Sequence, residues 1–240
     1  MKRAPFIVFL HVWYVIAELV TGDVLYEEVL SPSLHPRTFY LSPGQEYQMI
    51  SQILCEGSPC PEFSVIQDYA YFIQRRSYRE AKFLRLTTSR TCDFKLIMDD
   101  GLNRLHNFIQ GANNRQQNYT ITLPLLIEVD QHLSSKSKNP WCLMSYRINF
   151  FIPHYWGSMA TPTEMLPEFF EIPENFQVYV HTFNGEIDQV LFREIEFFRR
   201  NLDTLTICYK KMKFYIAIYD IPHSPADSRN EMWFIKCTER

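Results

Sequence analysis

The sequence predicts an α+β protein in which a barrel-like antiparallel sheet of about eight strands is flanked by two helices. Three observations lead to this prediction. Aromatic residues make up 15% of the chain while only 7 of its 240 residues are glycine, which favours a β-rich core over a flexible chain. Two segments have helical periodicity, and the segments around them have the composition of strands. The order strand–strand–helix–strand–strand occurs twice, at an offset of about 95 residues.

The first repeat follows an irregular leader, residues 23–60, which is rich in turn signals such as Ser31-Pro32-Ser33. Its helix is predicted over Asp93–Gln110, where apolar residues recur at steps of three and four. Thr91 or Asp93 can cap the start of this helix, and Gly111 stands where a helix ends. Its strands are predicted over Phe63–Arg75, Ala81–Thr88, Tyr119–Val129 and Ser145–Pro153.

The second repeat has the same order of elements. Its helix is predicted over Glu186–Leu202, with one apolar face. Because each helix has a single apolar stripe, each needs a partner surface, and we expect both to pack outside the curled sheet. The strands of this repeat are predicted over Glu168–Ile172, Phe176–Phe183, Lys213–Ile221 and Glu231–Cys237.

The amino terminus predicts a secretory signal peptide over residues 1–22. Lys2 and Arg3 precede an apolar run that ends near Val20, and the small residues Thr21 and Gly22 offer a cleavage point. The run is interrupted by charge and is short of the roughly 20 apolar residues that a membrane span needs, although an uncleaved anchor is the alternative. We therefore expect a secreted protein with a folded domain over residues 61–240 and no membrane contact after cleavage.

Cysteine usage and one glycosylation sequon agree with export. An even number of cysteines beyond the predicted cleavage point predicts disulfides, although six cysteines allow 15 pairings. We expect Cys55–Cys60 to form a local clasp and leave the other pairings open. Asn118-Tyr119-Thr120 is an acceptor for an N-linked glycan on a surface loop. The six cysteines are Cys55, Cys60, Cys92, Cys142, Cys208 and Cys237.

Composition and motifs argue against a nucleic-acid partner and against catalysis. The net charge is −3 and no Lys/Arg run exceeds two residues, so there is no concentrated basic face for phosphates. The chain has no Gly-rich phosphate loop, no Gly-x-Ser-x-Gly and no His-Glu-x-x-His, and none of its 7 histidines are four residues apart. Asp99 and Asp100 are interpreted as a solvated helix face. We therefore expect no catalytic residues.

The most specific motif lies near the end of the chain. Tyr219-Asp220-Ile221-Pro222 is followed, after a short loop, by Arg229-Asn230-Glu231-Met232-Trp233. This pattern resembles the closing hairpin of the SOUL family of haem-binding proteins. Other family-like motifs precede it in the same order, so that the resemblance extends from about Cys55 to Cys237. These motifs include Cys55-Glu56-Gly57-Ser58-Pro59-Cys60-Pro61, Tyr78-x-x-Ala81-Lys82-Phe83, Phe108-Ile109-Gln110-Gly111 and Val178-Tyr179-Val180-His181-Thr182-Phe183-Asn184-Gly185.

The resemblance implies a fold and a ligand. SOUL proteins have a distorted antiparallel β-barrel with two flanking helices and a pseudo-twofold repeat, which agrees with the pattern in this sequence. Members bind haem or other tetrapyrroles, often without being enzymes, in a shallow apolar pocket between the first helix and the loop of the closing hairpin. Carried over to this chain, the pocket residues are Leu102, His106, Asn107, His223 and Ser224.

Two histidines in this set are candidate iron ligands. His106 and His223 stand where a related member has apolar methionines, and Asn107 and Ser224 replace two lysines. Because neutral imidazole ligates haem iron, we hypothesise that His106, His223 or both are axial ligands. The alternative interpretation is that both are surface histidines without a ligand.

Other departures from the family pattern weigh against haem binding. Ser77 stands where some members carry a histidine that is proposed to ligate iron, and the lost lysines remove partners for the haem propionates. Arg104 could replace them, but it points away from His106 around the helix. We interpret His181 as a structural or exposed strand residue that faces outward, and Trp141, Trp156 and Trp233 as packing residues.

Three functions therefore remain open at this point. The first is a secreted binding protein for haem, porphyrin or another flat apolar molecule. The second is a secreted interaction protein that kept this fold and lost the ligand. The third is an enzyme with an unrecognised site.

Overall fold

The computed structural model describes residues 55–87, 92–132, 138–157, 160–161, 168–220 and 228–237. All of them lie within one compact unit, Tyr47–Arg240. The predicted signal peptide, most of the predicted leader, and His223 and Ser224 lie outside the described residues. Within the described part of the chain, no helix is both long and apolar enough to cross a membrane.

Nine strands and two long helices make up the described fold. The helices are α1 (Phe94–Ile109) and α2 (Ile187–Thr204). Three short 3₁₀ turns occur at Ala70–Phe72, Pro140–Leu143 and His154–Trp156. The strands are β1 (Phe63–Tyr69), β2 (Ile73–Tyr78), β3 (Ala81–Thr87), β4 (Leu125–Gln131), β5 (Met144–Ile152), β6 (Glu168–Ile172), β7 (Phe176–Asn184), β8 (Tyr209–Ile218) and β9 (Arg229–Lys236).

The strands form one antiparallel sheet in the order β1-β2-β7-β9-β8-β4-β5-β3-β6. Apart from β1, this order is symmetric about its centre. One repeat is β2-β3-α1-β4-β5, the other is β6-β7-α2-β8-β9, and the first strand of each repeat pairs with the second strand of the other. The predicted ββαββ repeat is therefore confirmed, with β1 added at one edge.

The sheet curls strongly but stays open. The ring centroids of Phe170 on β6 and Tyr215 on β8 are 5.9 Å apart, although these strands are separated by three others in the sheet. In a flat sheet the same strands would be about 19 Å apart. Among the described residues β1 and β6 are the two edges and do not pair with each other. The result is the expected distorted, barrel-like sheet.

The prediction of a single strand over Phe63–Arg75 is wrong. The chain reverses at Ala70–Phe72, and this turn separates β1 from β2. Tyr71 and Phe72 have φ values of 64° and 57°, a region that aromatic residues rarely adopt. The turn has no glycine, proline or asparagine, so its composition predicts a strand and not a turn. This turn accounts for the ninth strand.

Two other strand boundaries also differ from the prediction. The predicted strand over Tyr119–Val129 begins only at Leu125, and the chain before it runs as an irregular segment. Within that segment the Thr122 hydroxyl donates a hydrogen bond to the Phe151 carbonyl, 2.8 Å away. Strand β8 begins at Tyr209, four residues earlier than the predicted Lys213. The start of β8 could not be recognised in the sequence, because exposed Lys210 and Lys211 interrupt the apolar pattern.

Both helices pack their apolar stripes on the same face of the sheet. Asp93 caps α1, since its carboxylate accepts a hydrogen bond from the Leu96 amide. Gly101 lets α1 approach β5 closely, because a Cβ at this position would lie 2.0 Å from Ile148 Cδ1. The stripes consist of Phe94, Ile97, Gly101, Leu105 and Phe108 on α1, and of Ile187, Leu191, Ile195, Phe198 and Leu202 on α2.

The opposite face of the sheet forms a second core inside the curl. Large aromatic side chains fill it, and Trp233 and Phe83 are both 0% exposed. Tyr78 packs against Trp233 in a tilted arrangement, with ring centroids 4.5 Å apart. The interior of the curled sheet is therefore packed with side chains from both repeats.

Three disulfides join the six cysteines. Cys55–Cys60 is the local clasp that the sequence predicts. Cys92–Cys142 ties the start of α1 to the 3₁₀ turn before β5, and Cys208–Cys237 ties the start of β8 to the end of β9. The Cys92–Cys142 and Cys208–Cys237 disulfides each fix a point where an element begins or ends.

Candidate functional site

The exposed edge of α1 carries the described half of the predicted pocket. Leu102 and His106 are one helical turn apart and so share one face. Leu102 is half-buried against the core between helix and sheet, whereas His106 and Asn107 are exposed. No described residue makes a hydrogen bond or ion pair with the His106 imidazole. An apolar side chain and an imidazole that no described residue engages therefore lie one helical turn apart on α1.

The other half of the predicted pocket, His223 and Ser224, lies outside the described residues. The base of the β8–β9 hairpin is well defined, because an ion pair joins its two sides there. Asp220 Oδ1 lies 2.9 Å from Arg229 Nη2, and the Arg229 amide donates to Asp220 Oδ2. Burial opposes ionisation of Asp220, but the hydrogen bonds from Arg229 lower the pKa of this carboxyl below its usual value. The hairpin base is a charged clamp.

The residues that follow Arg229 in this motif have structural roles. Asn230 donates a hydrogen bond to the Gly185 carbonyl, 3.0 Å away. Glu231 is buried, forms an ion pair with Arg76 at 2.9 Å and accepts hydrogen bonds from Tyr219 Oη and Trp233 Nε1. Burial, together with the charge of Glu231, raises the pKa of Tyr219 well above its usual value. The motif therefore stabilises the sheet interior rather than a reactive centre.

A second charged network lies farther along the same inner face of the sheet. Glu128 is 1% exposed and lies within 2.8 Å of three cations. Charge-assisted hydrogen bonds of this kind stabilise a buried carboxylate. With this network and the aromatic core, the inside of the curl is occupied by side chains. The described interior therefore offers no open space for a small molecule. The three cations are Arg85, Arg147 and Lys213.

One cation and one carboxylate of α1 form an ion pair along the helix. Arg104 Nε lies 3.0 Å from Asp100 Oδ1, one turn earlier on the helix. Arg104 is therefore already engaged, and Asp99 is exposed, as expected for a solvated face. Within the described part of the chain, no group of three or more His, Cys, Asp or Glu side chains could hold a metal ion.

The interpretation of His181 as an outward-facing residue is wrong. The imidazole is 7% exposed and its Nε2 lies 3.2 Å from Glu194 Oε2 on α2. Its ring packs against Phe197 and Phe198. Burial lowers the pKa of His181, although Glu194 acts in the opposite direction. The prediction failed because both faces of β7 are covered, one by α2 and one by the interior; the structural role is confirmed.

The other residues singled out in the sequence lie as follows. Ser77 is buried on β2 and Asn118 is exposed in the irregular segment before β4. Trp141 stacks on Phe94 with ring centroids 4.9 Å apart. Trp156 and the buried Trp233 also pack against aromatic rings, so all three tryptophans are packing residues.

A cleft of about 820 Å³ on the helix side was not anticipated from the sequence. Its volume lies within the range of small-molecule sites. Four separate segments supply its walls, so no single stretch of sequence signals it. They are α2, the end of β4, the 3₁₀ turn with the start of β5, and the start of β8. The walls include Gln131, His132, Pro140, Met144, Phe192, Arg199 and Met212. We call it the α2 cleft.

Comparison with known proteins agrees with this architecture. The sequence model of the SOUL heme-binding protein family matches residues 58–235. "Heme-binding protein 1" of Xenopus laevis is 26% identical over 164 residues, which cover 68% of this chain and 83% of the relative. "Heme-binding protein 2" of Mus musculus is 24% identical over 169 residues, which cover 68% of this chain and 78% of the relative.

Solved structures resemble this chain only weakly. An uncharacterized conserved protein from Listeria innocua aligns with a TM-score of 0.44 and 8% identity, over 68% of this chain and 90% of that protein. This likeness carries no argument about function.

Proposed function

This chain belongs to the SOUL heme-binding protein family, and from that premise we propose that it is a secreted, non-catalytic protein that binds haem, a porphyrin or a similar flat apolar molecule. The observation that carries the proposal is the surface pair on α1. Half-buried Leu102 and exposed His106 lie one turn apart, at the positions that the family resemblance assigns to the ligand.

The described residues fit one face of a tetrapyrrole. Leu102 offers an apolar contact for the ring, and the His106 imidazole, which no described residue engages, is free to donate a lone pair to iron. A bound haem supplies an iron centre and two carboxylates. Arg104 is occupied by Asp100, so we expect the carboxylates to point to solvent at this site and the affinity to be modest.

Secretion is supported by features in separate parts of the chain. The basic and apolar start of the sequence is typical of a signal peptide. All six cysteines are paired, which is typical of proteins that fold in oxidising compartments. Asn118 of the sequon is exposed, so an oligosaccharide transferase can reach it.

A non-catalytic role is supported by the chemistry of the described side chains. The buried carboxylates Glu128 and Glu231 are each engaged by cations, and Glu231 also accepts a hydrogen bond from Tyr219. Neither is free to act as an acid or base. Both curated relatives bear the name of a binding protein.

Titration with hemin tests the proposal. We expect the unmodified protein to shift the Soret band, and His106→Ala to abolish or move the shifted band, because the variant loses an axial donor. His154→Ala is a matched control, since His154 is an exposed histidine on a different element. An unshifted Soret band with the unmodified protein, together with no binding of metal-free protoporphyrin IX, would contradict the proposal.

One observation favours the alternative that the chain is an interaction protein without a tetrapyrrole. Asn107 and Ser224 replace two lysines of the family pattern, and Arg104 is already paired. This alternative predicts that neither hemin nor metal-free protoporphyrin IX binds.

A further inference from the structure

We propose that the α2 cleft is a second ligand site, related to the α1 site by the internal pseudo-twofold symmetry, which binds a flat apolar molecule through a carboxylate. The class of ligand rests on the proposed function, whereas the site rests on the geometry of the cleft. Its walls combine apolar side chains with one cation, Arg199, for which the described part of the chain provides no carboxylate partner.

The internal symmetry relates the two sites. Strands β4 and β5 in one repeat correspond to β8 and β9 in the other, and α1 corresponds to α2. The α1 site is expected between α1 and the β8–β9 connection. Its symmetry mate is the space between α2 and the described residues at the end of β4 and the start of β5. The α2 cleft occupies that space, between α2 and the segments on either side of the connection.

The helix positions correspond as well. The buried residues Ile97, Gly101 and Phe108 of α1 have the same spacing as Leu191, Ile195 and Leu202 of α2. When these residues are aligned, Leu102 falls on Glu196 and His106 falls on Arg200. Glu196 and Arg200 both line the α2 cleft. The same outer edge of the helix therefore faces the site in both repeats.

The apolar wall of the cleft suits a flat ring. Met144 and Met212 provide polarizable, adaptable side chains, and Phe192 presents an aromatic ring. Behind Phe192 lies Trp141, whose ring centroid is 4.6 Å away in an edge-to-face contact. A porphyrin in the cleft would therefore lie close to a tryptophan, which provides a spectroscopic signal.

Arg199 is the cation that a ligand carboxylate can reach. Its Nη2 donates to Gln131 Oε1 at 2.6 Å and to the Lys211 carbonyl at 2.5 Å, both uncharged acceptors. Its Nε is buried without a hydrogen-bond partner, and no described carboxylate forms an ion pair with it. Burial lowers the pKa of Arg199 more than nearby Tyr209 and Asp203 raise it.

The other charges around the cleft are already paired. Arg200 Nη2 lies 2.7 Å from Glu196 Oε1, and Lys211 Nζ lies 3.3 Å from Asp203 Oδ1. These pairs neutralise the two carboxylates that would otherwise repel an anion. Arg199 therefore determines that the cleft prefers a negatively charged group.

Titration of the full chain with metal-free protoporphyrin IX tests this site. We expect two equivalents to bind, with quenching of Trp141 fluorescence by the one in the α2 cleft. Arg199→Gln keeps the polar contacts and removes the charge, so binding at that site should weaken by about tenfold. The matched control is Arg193→Gln on the same helix, because the Arg193 side chain is 71% exposed and lies outside the cleft.

Two further measurements complete the test. With the dimethyl ester of protoporphyrin IX, which lacks the carboxylates, Arg199→Gln and the unmodified chain should bind equally. Thr204→Trp fills the cleft from an exposed position and should abolish the second equivalent even if Arg199→Gln does not fold. Porphyrin binding that neither Arg199→Gln nor Thr204→Trp changes would overturn the inference. If the inference about the α2 cleft fails but His106→Ala still alters the Soret shift of hemin, the proposed function stands. If porphyrin binding depends on Arg199 while the Soret shift of hemin does not respond to His106→Ala, the α2 site stands and the assignment of His106 as an iron ligand is wrong.

Discussion

The buried carboxylate of Glu231 connects the family motif to the stability of the fold. Its partners come from three strand segments: Arg76 on β2, Tyr219 at the end of β8 and Trp233 on β9. Because the Glu231 side chain is 1% exposed, water cannot replace a lost partner. Glu231 and Trp233, two of the residues that carry the family motif, therefore help to hold strands of one half of the curled sheet together.

Replacement of Glu231 by glutamine leaves the Arg76 guanidinium buried without a counter-ion. We expect the free energy of unfolding to fall by about 3 kcal/mol, as measured by urea denaturation. Glu171→Gln is the matched control, because the Lys82–Glu171 pair is exposed and such pairs contribute about 0–1 kcal/mol. Equal losses in the two variants would contradict this role for Glu231.

His181 predicts a dependence of stability on pH. Burial lowers its pKa from 6.5, so the unfolded chain binds a proton more readily than the folded chain does. The contribution of neutral His181 is complete above pH 6.5 and is lost as the pH falls towards the folded-state pKa. We expect His181→Gln to flatten the decline in the free energy of unfolding below pH 6.5, in urea titrations at several pH values. His154→Gln, at an exposed histidine, should leave the decline in the free energy of unfolding unchanged. An equal flattening in both variants would contradict the role of His181 in this decline.

At the scale of elements, the helices could be predicted well and the strands less so. Helix periodicity and the Asp93 cap placed both helices within two residues of their observed ends. The turn at Ala70–Phe72 could not be predicted, because Tyr71 and Phe72 adopt positive φ without any turn-forming residue. A local conformation can be predicted from the sequence only where it requires a particular residue type, such as a capping residue or a turn-forming glycine.

The disulfides give a prediction at this scale. Cys92–Cys142 closes a loop with a sequence separation of 50, whereas Cys55–Cys60 closes one of 5. Since the entropy that a cross-link removes from the unfolded chain grows with loop length, Cys92→Ser with Cys142→Ser should cost about 4 kcal/mol. Cys55→Ser with Cys60→Ser should cost about 2 kcal/mol. Urea denaturation of the two double variants measures both losses, and the reverse order would contradict the assigned pairing.

At the scale of the molecule, the pseudo-twofold symmetry organises both the fold and the candidate sites. The repeat was visible in the sequence, as was the α1 edge with Leu102 and His106. The α2 cleft was not, because its wall residues, among them Gln131, Phe192 and Met212, meet only after the sheet has curled. A site that several elements build has no local sequence signature.

The packing of the interior explains why the ligand is expected on the outside. A conventional barrel of this size can hold a small molecule within it. Here the inner face carries Trp233, Tyr78 and Phe83, together with two charged networks, and all three rings are buried. The helix side is the surface that carries half-buried Leu102, exposed His106 and the α2 cleft.

The central claim is that the ligand binds on the helix side and not inside the sheet. Two-dimensional ¹H–¹⁵N NMR of the chain titrated with metal-free protoporphyrin IX tests it most directly. The Trp233 indole N–H, bonded to Glu231 in the interior, should keep its chemical shift, while the amides around Leu102 and His106 on α1 should move. Movement of the Trp233 indole signal with unchanged α1 amides would contradict the account.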